Sequence, residues 1–478
     1  MSRTRIVKGT YTKISAKGHS MYSSESIITT ASNFVTEEGI EKGLSIGLPK
    51  SAPKLEYTDE PDFDIELELI EKDFVPLGIP DYKGNPENDK IQFELTVTGA
   101  GINQWHLTIK NGKDILYESF SASGELEEVI ITAKSKNPKA KSNNPKVTTP
   151  VVIKRYWPAG KYILSWTGFN KNGIYDSTIL KSEKGLTVSI VGQAEFKKKT
   201  FTIDQPIKFT HKEVDWVDVR IDKINKKIDT TLRVNLKDGG TEGLSSWDKI
   251  SKEALSFYNK PPIKIQERTY ANLEKLALQG INQFWSRNSS NVGKGVSIAS
   301  DKYEVFIHSK ADNNGLSAPS IIYQTNIEAG RSRNFEASRK LFFYEGYLYR
   351  DSWKKSNPSS VFYKNKGWIY RSENINEEKN VLLNLPSLVE DFKMVSAHEI
   401  GHEILLAYGG QIYSKGHNGT TTWINLITQD VNDDAPYIPT DGEIDLMKYY
   451  QDYYDISRTI ITEFDLLKLI WLSKIKIL

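Results

Sequence analysis

The sequence contains no cysteine, which excludes a disulfide framework, a thiolate metal site and a cysteine nucleophile. It also lacks an excess of charge of either sign. The 63 Lys and Arg against 61 Asp and Glu leave +2, too weak a field to draw in nucleic acid or an anionic membrane surface, and neither is expected as a partner. Long hydrophobic runs are missing too. The most apolar terminal stretch, Leu466–Leu472, is far shorter than the roughly 20 residues of a spanning helix, so no membrane span is expected. The N-terminal MSRTRIVKGTYTKISAKGHS is positively charged but has no apolar core of the kind a cleavable signal carries. The expectation is a protein that leaves the cell, if it does, by a route that reads no such signal.

Histidine is scarce as well, seven in the chain, yet His398, His402 and His417 fall close together. The stretch FKMVSAHEIGHEILLAYGG holds His398-Glu399-Ile400-Gly401-His402, the HExxH pattern. On a helix, residues i and i+4 share a face about 6 Å apart, so both imidazoles can meet one metal ion while Glu399 projects beside it. Zinc suits neutral imidazole and keeps an open position when the protein supplies three ligands. The flanks agree with a helix from about Ser387 to Tyr408. Ser387-Leu388-Val389-Glu390 has the form of a capping box, Gly409-Gly410 is a stop signal, and apolar residues on much of the circumference mark burial.

At 478 residues the chain calls for several domains. Residues 1–60 are polar and read as an adaptor or secretion-related segment, ending in the linker-like PKSAPKLEYTDEP. From 61 to 193, seven short runs rich in β-branched and aromatic residues predict an all-β, immunoglobulin-like sandwich, with the polar Lys134–Pro150 as a long loop. Pro158-Ala159-Gly160-Lys161-Tyr162, Trp166-Thr167-Gly168 and Gly173-Ile174-Tyr175 resemble the immunoglobulin-like repeats of flagellar-hook-assembly and similar bacterial domains, which implies a binding or spacer module. His106, on an alternating strand, is expected to be structural. Residues 194–478 read as an α+β, zincin-like metallopeptidase domain. Val214–Leu236 predicts a hairpin closed by Asp238-Gly239-Gly240, Thr269–Arg287 an amphipathic helix, then strands, the motif helix and at least two closing helices. In that layout an edge strand holds an extended peptide.

An HExxH zinc site needs one more ligand. Leu405 and Tyr408 stand where the metzincin continuation requires Gly and His, so that class is excluded. His417, Glu443, Glu463 and the aspartates Asp430, Asp433, Asp434, Asp445 and Asp465 remain open on the residues alone. Glu443 opens an expected helix, Thr440–Met447, while Glu463 is placed to cap the last helix.

The ordered set AHEIGHEILLAYGG, YSKGHNGT, DGEIDLMKYY and EFDLLKLIWLSKIK resembles the metallopeptidase domain at the C-terminus of some type VI secretion spike proteins and effectors, over about residues 205–478. The resemblance implies zinc on His398, His402 and Glu443, with Glu399 as catalytic carboxylate. It also implies spike or tube components as carriers, an immunity protein as partner, and a secreted antibacterial peptidase acting in the periplasm of a target cell. SSESIITTASNFVTEEGIEKGLSIGLPK is similar to leader segments of Bacteroidetes type VI clusters. In the expected mechanism Glu399 is general base on a zinc-activated water, and His417 or Tyr408 stabilises the oxyanion. Two alternatives stand beside it: a non-catalytic component of the secretion apparatus with a stabilising zinc, and a zinc peptidase of peptidoglycan cross-bridges.

Overall fold

Alternation of apolar and polar residues governs the first half of the folded chain. In this computed structural model the residues described are 62–121, 157–194, 197–249, 262–327, 330–335, 338–354, 361–370, 388–423, 429–431, 433–451 and 455–478. The expected segment 1–60, the run EEVIITA and the loop Lys134–Pro150 lie outside them. The first strands are β1 (Phe63–Leu69), β2 (Asp73–Phe74), β3 (Ile91–Gly99), β4 (Gln104–Asn111), β5 (Asp114–Phe120), β6 (Gly160–Trp166), β7 (Ile174–Asp176), β8 (Thr187–Ala194) and β9 (Lys197–Thr202). All but β2 and β7 build two antiparallel sheets, ordered β1-β3-β6 and β5-β4-β8-β9. Phe63, Ile65, Leu67, Phe93, Leu95 and Trp166 on one sheet, and Trp105, Leu107, Val188 and Ile190 on the other, are all buried. This is the period-two pattern of strands with one face on a core. Gly192 lies against Ile65 so closely that a Cβ there would stand 3.1 Å from it. The expected division after residue 193 falls within the second sheet, because β8 and β9 pair across it.

Strands β10 (Phe209–His211), β11 (Val217–Asp222) and β12 (Lys227–Glu242) follow. The expected hairpin is β11–β12, paired from Val217↔Leu232 to Asp222↔Lys227. Asp238-Gly239-Gly240 does not close it. β12 runs through these residues with a register shift, because Gly240 takes φ +79° and the strand bulges instead of turning. β12 is the spine of a mixed sheet. Its first half pairs in parallel with β14 (Asp301–Ala311), which carries β13 (Val296–Ile298) on its outer side, and its second half pairs in parallel with β15 (Leu316–Gln324). Beyond β15, and parallel to it, lies β17 (Ser338–Tyr344), and the short β16 (Arg333–Phe335) closes that edge antiparallel.

Helix α1 (Ser177–Leu180) is a single turn. α2 (Tyr270–Phe284), capped by the Thr269 side chain, and α3 (Leu388–Lys415) pack on each other and on the mixed sheet. They meet where Gly280 lets the backbone of α3 approach: a Cβ at Gly280 would stand 2.1 Å from the Lys393 carbonyl oxygen. Of the expected closing helices one is present among the described residues, α4 (Glu463–Trp471). Thr440–Met447 is not helical. Gly442 takes φ +78° and the Asp445 carboxylate accepts the Met447 N–H at 2.8 Å, a local turn that competes with a helix. No helix among the described residues is long and apolar enough to cross a membrane.

The sandwich and the mixed sheet are stitched together within one compact unit, Phe63–Leu478. Strand Ile475–Ile477 pairs with both β2 and β10, and β7 pairs with β11. A buried ion cluster closes the same seam. Asp218 of β11 receives Ser177 Oγ at 3.0 Å, Arg233 Nη1 at 2.6 Å and the Lys181 ammonium. Burial alone would raise the Asp218 carboxyl, but hydrogen bonds from His211, Lys181 and Arg233 outweigh it and hold the pKa well below the usual range. A depressed folded-state pKa contributes stability above the unfolded pKa of about 4 and loses it as pH falls below that value. Asp218→Asn is therefore expected to cost about 3–5 kcal/mol at pH 7, the range for breaking a buried pair. The gap between variant and wild type in urea unfolding should narrow as pH drops below about 4. A gap unchanged at low pH would show that the carboxylate charge is not what holds the seam.

Candidate metal centre

Helix α3 carries its polar residues inward. Leu388, Phe392, Ala397, Ile400, Ile404 and Leu405 are buried, and so are His398, Glu399, His402 and Glu403. Gly401 makes room for this: a Cβ there would stand 2.7 Å from Met447 Sδ and 2.9 Å from the Trp285 ring. The Trp285 indole N–H donates to the Ala397 carbonyl at 3.1 Å and the Asn334 amide to the Glu399 carbonyl at 2.8 Å, so α2 and β16 both grip the motif turn. At Gly410, φ +78° and ψ −171° break the helix. A glycine suffers no Cβ penalty there, and the chain turns back so that Ser414–His417 lie alongside the motif.

This reversal brings the third histidine in. His398, His402 and His417 place one ring nitrogen each within 4.8 Å of one another, all three residues buried. His398 Nδ1 donates to the Leu446 carbonyl at 2.8 Å, His402 Nδ1 to the Ser414 carbonyl at 2.6 Å and His417 Nδ1 to the Lys415 carbonyl at 3.0 Å. A carbonyl can only accept, so each partner assigns the proton to Nδ1 and leaves Nε2 as a lone pair. The Nε2 atoms of His398 and His402 stand 3.2 Å apart, and the buried Nε2 of His417 has no hydrogen-bond partner among the described residues. Three lone pairs facing one another in a buried site are repulsive unless a cation sits among them. The donor set therefore fits a metal ion.

The surroundings keep the rings neutral. Burial pulls His398 down to about 4 and His417 to about 2, and His402 well below its ordinary value. The positive charges of Arg331 and Lys415 act in the same direction on His398 and His417. Burial pushes the Glu399 carboxyl up to about 7, against the pull of Lys415 and Arg331. A carboxyl with that pKa can both accept and return a proton at neutral pH.

Of the site residues expected from the sequence, His398, Glu399, His402 and His417 come together and Glu443 does not. His417 stands as the third nitrogen, where the resemblance had implied Glu443. The Glu443 carboxylate forms a two-pronged pair with Arg287, Nη1 at 2.7 Å and Nη2 at 2.9 Å. Arg287 is itself buried and also donates to the Gly295 and Ile461 carbonyls. A buried guanidinium needs a counter-charge, and Glu443 supplies it. Tyr408 is elsewhere too: its hydroxyl donates to the Pro80 carbonyl at 3.3 Å and its ring packs edge-on against Trp471. Glu463 starts α4 and accepts the Ser297 N–H. His106 stacks on Phe120 and bonds Glu118 within the sandwich.

Comparison with protein-family models, curated proteins and solved structures finds no match to this chain.

Sequence reasoning missed Tyr449. Its ring lies 3.9 Å from that of His417 and 5.8 Å from that of His398, and its hydroxyl accepts from Arg331 Nη2 at 3.1 Å. Burial raises the phenol, and the Glu399 charge adds to the shift. Tyr449 sits in a run with Tyr450, Tyr453 and Tyr454, in which no spacing distinguishes one ring from the others.

The ligand assignment separates two variants. Glu443→Gln should keep metal content and instead destabilise the fold, by about 1–3 kcal/mol for an ion pair with one partner half exposed. His417→Ala should keep the fold and lose metal. Elemental analysis with urea unfolding reads both, and loss of metal from a well-folded Glu443→Gln would return the third-ligand role to that carboxylate.

Proposed function

We propose that the protein is a zinc-dependent hydrolase of amide bonds, a peptidase, with His398, His402 and His417 as metal ligands and Glu399 as general base. The observation that carries this reading is the convergence of three buried, neutral imidazoles with lone pairs inward and one perturbed carboxyl on the same helix turn. The Nε2 atoms of His398 and His402 stand 3.2 Å apart, near enough that both would hold one zinc ion through nitrogen. Zinc, when bound, supplies the Lewis acidity that makes water a nucleophile near neutral pH and polarises a carbonyl.

The chain's own residues do the rest. Glu399 takes the proton of the attacking water and returns it to the leaving amine. Tyr449, whose oxygen accepts from Arg331, keeps its phenolic hydrogen to donate to the developing oxyanion. A merely stabilising zinc site would have no use for the Glu399 carboxyl on the motif turn, which favours catalysis over the structural alternative.

In this reading the sheets β1-β3-β6 and β5-β4-β8-β9 form an immunoglobulin-like module, and the mixed sheet with α2, α3 and α4 is zincin-like. The resemblance of the motif set to type VI metallopeptidase domains supports an antibacterial effector delivered by a secretion spike, acting in the target periplasm on protein or on peptidoglycan cross-bridges, and countered by an immunity protein. Glu399→Gln should retain one zinc per chain and lose about 10²–10⁴-fold in hydrolysis, the usual worth of a general base. The substrates for this assay are casein-like unfolded protein and purified sacculi. Unchanged turnover of both substrates in the variant would sink the peptidase reading.

A further inference from the structure

His417 and its neighbour Asn418 both adopt left-handed backbone, φ 43° and 51°. A single non-glycine residue there is uncommon and costs of order 1 kcal/mol or more, so something must hold the pair. The Asn418 side chain is the visible anchor. Its Nδ2 donates to Asp445 Oδ2 at 2.7 Å and to Asp465 Oδ2 at 3.3 Å. Both acceptors are fixed from behind. Asp465 is buried on the first turn of α4, where it takes the Thr462 hydroxyl at 3.0 Å and pairs with the buried Lys468.

Asp445 is tied at both of its oxygens. While Oδ2 receives Asn418, Oδ1 receives the Met447 N–H at 2.8 Å, and the Asp445 N–H donates to the Tyr450 hydroxyl at 3.1 Å. Between Asp445 and Met447 lies Leu446, whose carbonyl orients His398. One carboxylate thus spans two rings of the cluster. On one side it shapes the turn that aims His398; on the other it holds the residue next to His417. The third histidine, unlike the other two, lies beyond the motif helix, and this contact holds the residue next to it.

We propose that Asn418 and Asp445 act as a positioning clasp that sets His417 onto the metal and locks its placement to that of His398. The proposal rests on the metal reading above. The contact is not a metal site of its own, since the amide occupies both carboxylates.

The test uses the full chain, stripped with chelator and reloaded with zinc or cobalt(II). Zinc affinity is read by competition with a chromogenic chelator, and ligand geometry by the cobalt visible absorption. Asn418→Ala should lower zinc affinity about 10–100-fold, the scale for losing a group that orients a ligand, and weaken the cobalt bands. Asn418→Asp, which tolerates the left-handed backbone but sets a carboxylate against two others, should lower affinity at least as far. Combining Asn418→Asp with Asp445→Asn reverses the polarity of the same hydrogen bond, and the carbonyl oxygen of the new amide side chain still receives the Met447 N–H. That double variant should recover part of the affinity, because the new carboxylate still faces Asp465. Wild-type affinity and spectrum in Asn418→Ala would overturn the clasp, as would a double variant no tighter than Asn418→Asp alone. Should Asn418→Ala fail to fold, the comparison between Asn418→Asp and the double variant decides. Wild type that takes up neither ion would instead overturn the metal reading, a different result from a clasp variant that binds normally.

Discussion

The centre depends on carbonyl oxygens that accept from Nδ1 of each histidine. A helix turn can set two imidazoles side by side, but it does not choose which nitrogen carries the proton, and a ring with the wrong tautomer presents N–H to the metal position. Leu446 and Ser414 make that choice for His398 and His402, and Lys415 makes it for His417. Two of these acceptors come from the fold-back after Gly410 and the third from a turn packed beside the last helix. The parts of the chain that follow the motif are therefore less a lid than a set of orienting partners. Their backbone course, more than their side chains, decides what the motif can bind.

Burial gives the same arrangement its chemistry. Apolar residues around the whole of α3 draw the motif into the interior, and there the desolvation that keeps the imidazoles neutral also raises Glu399. Nearby positive charges at Lys415 and Arg331 moderate the shift of the carboxyl while reinforcing those of His398 and His417. Ligands and base are thus tuned by one dry environment. The neighbouring charges are compensated locally: Glu403 pairs with Arg339 and Asp465 with Lys468.

The motif helix was legible because its information is local: residues four apart share a face whatever the rest of the chain does. The same holds for the alternating strands of the first half and for α2 with its Thr269 cap. What was not legible depended on partners far away. Glu443 looked like a ligand because its partner, Arg287, is 156 residues earlier and nothing in the sequence links them. His417 entered as one candidate among several, but the Gly410 reversal that delivers it is a backbone event that a double glycine permits without dictating. Asp238-Gly239-Gly240 likewise allows a turn or a bulge, and the pairing of β12 with β15 selects the bulge. Tyr449 carries no signature beyond being one tyrosine among several.

Strand Ile475–Ile477 lies between β2 and β10, pairing residue 73 with residue 476. Such a contact closes a loop spanning nearly the whole described chain, and the entropy of closure is met only when both ends are in place. The seam formed by β2 and β10 therefore cannot close until the C-terminal strand has been made. The last hydrogen bonds of that seam wait for residues made after His398, His402 and His417, so that closing the seam and assembling the histidine cluster both fall late.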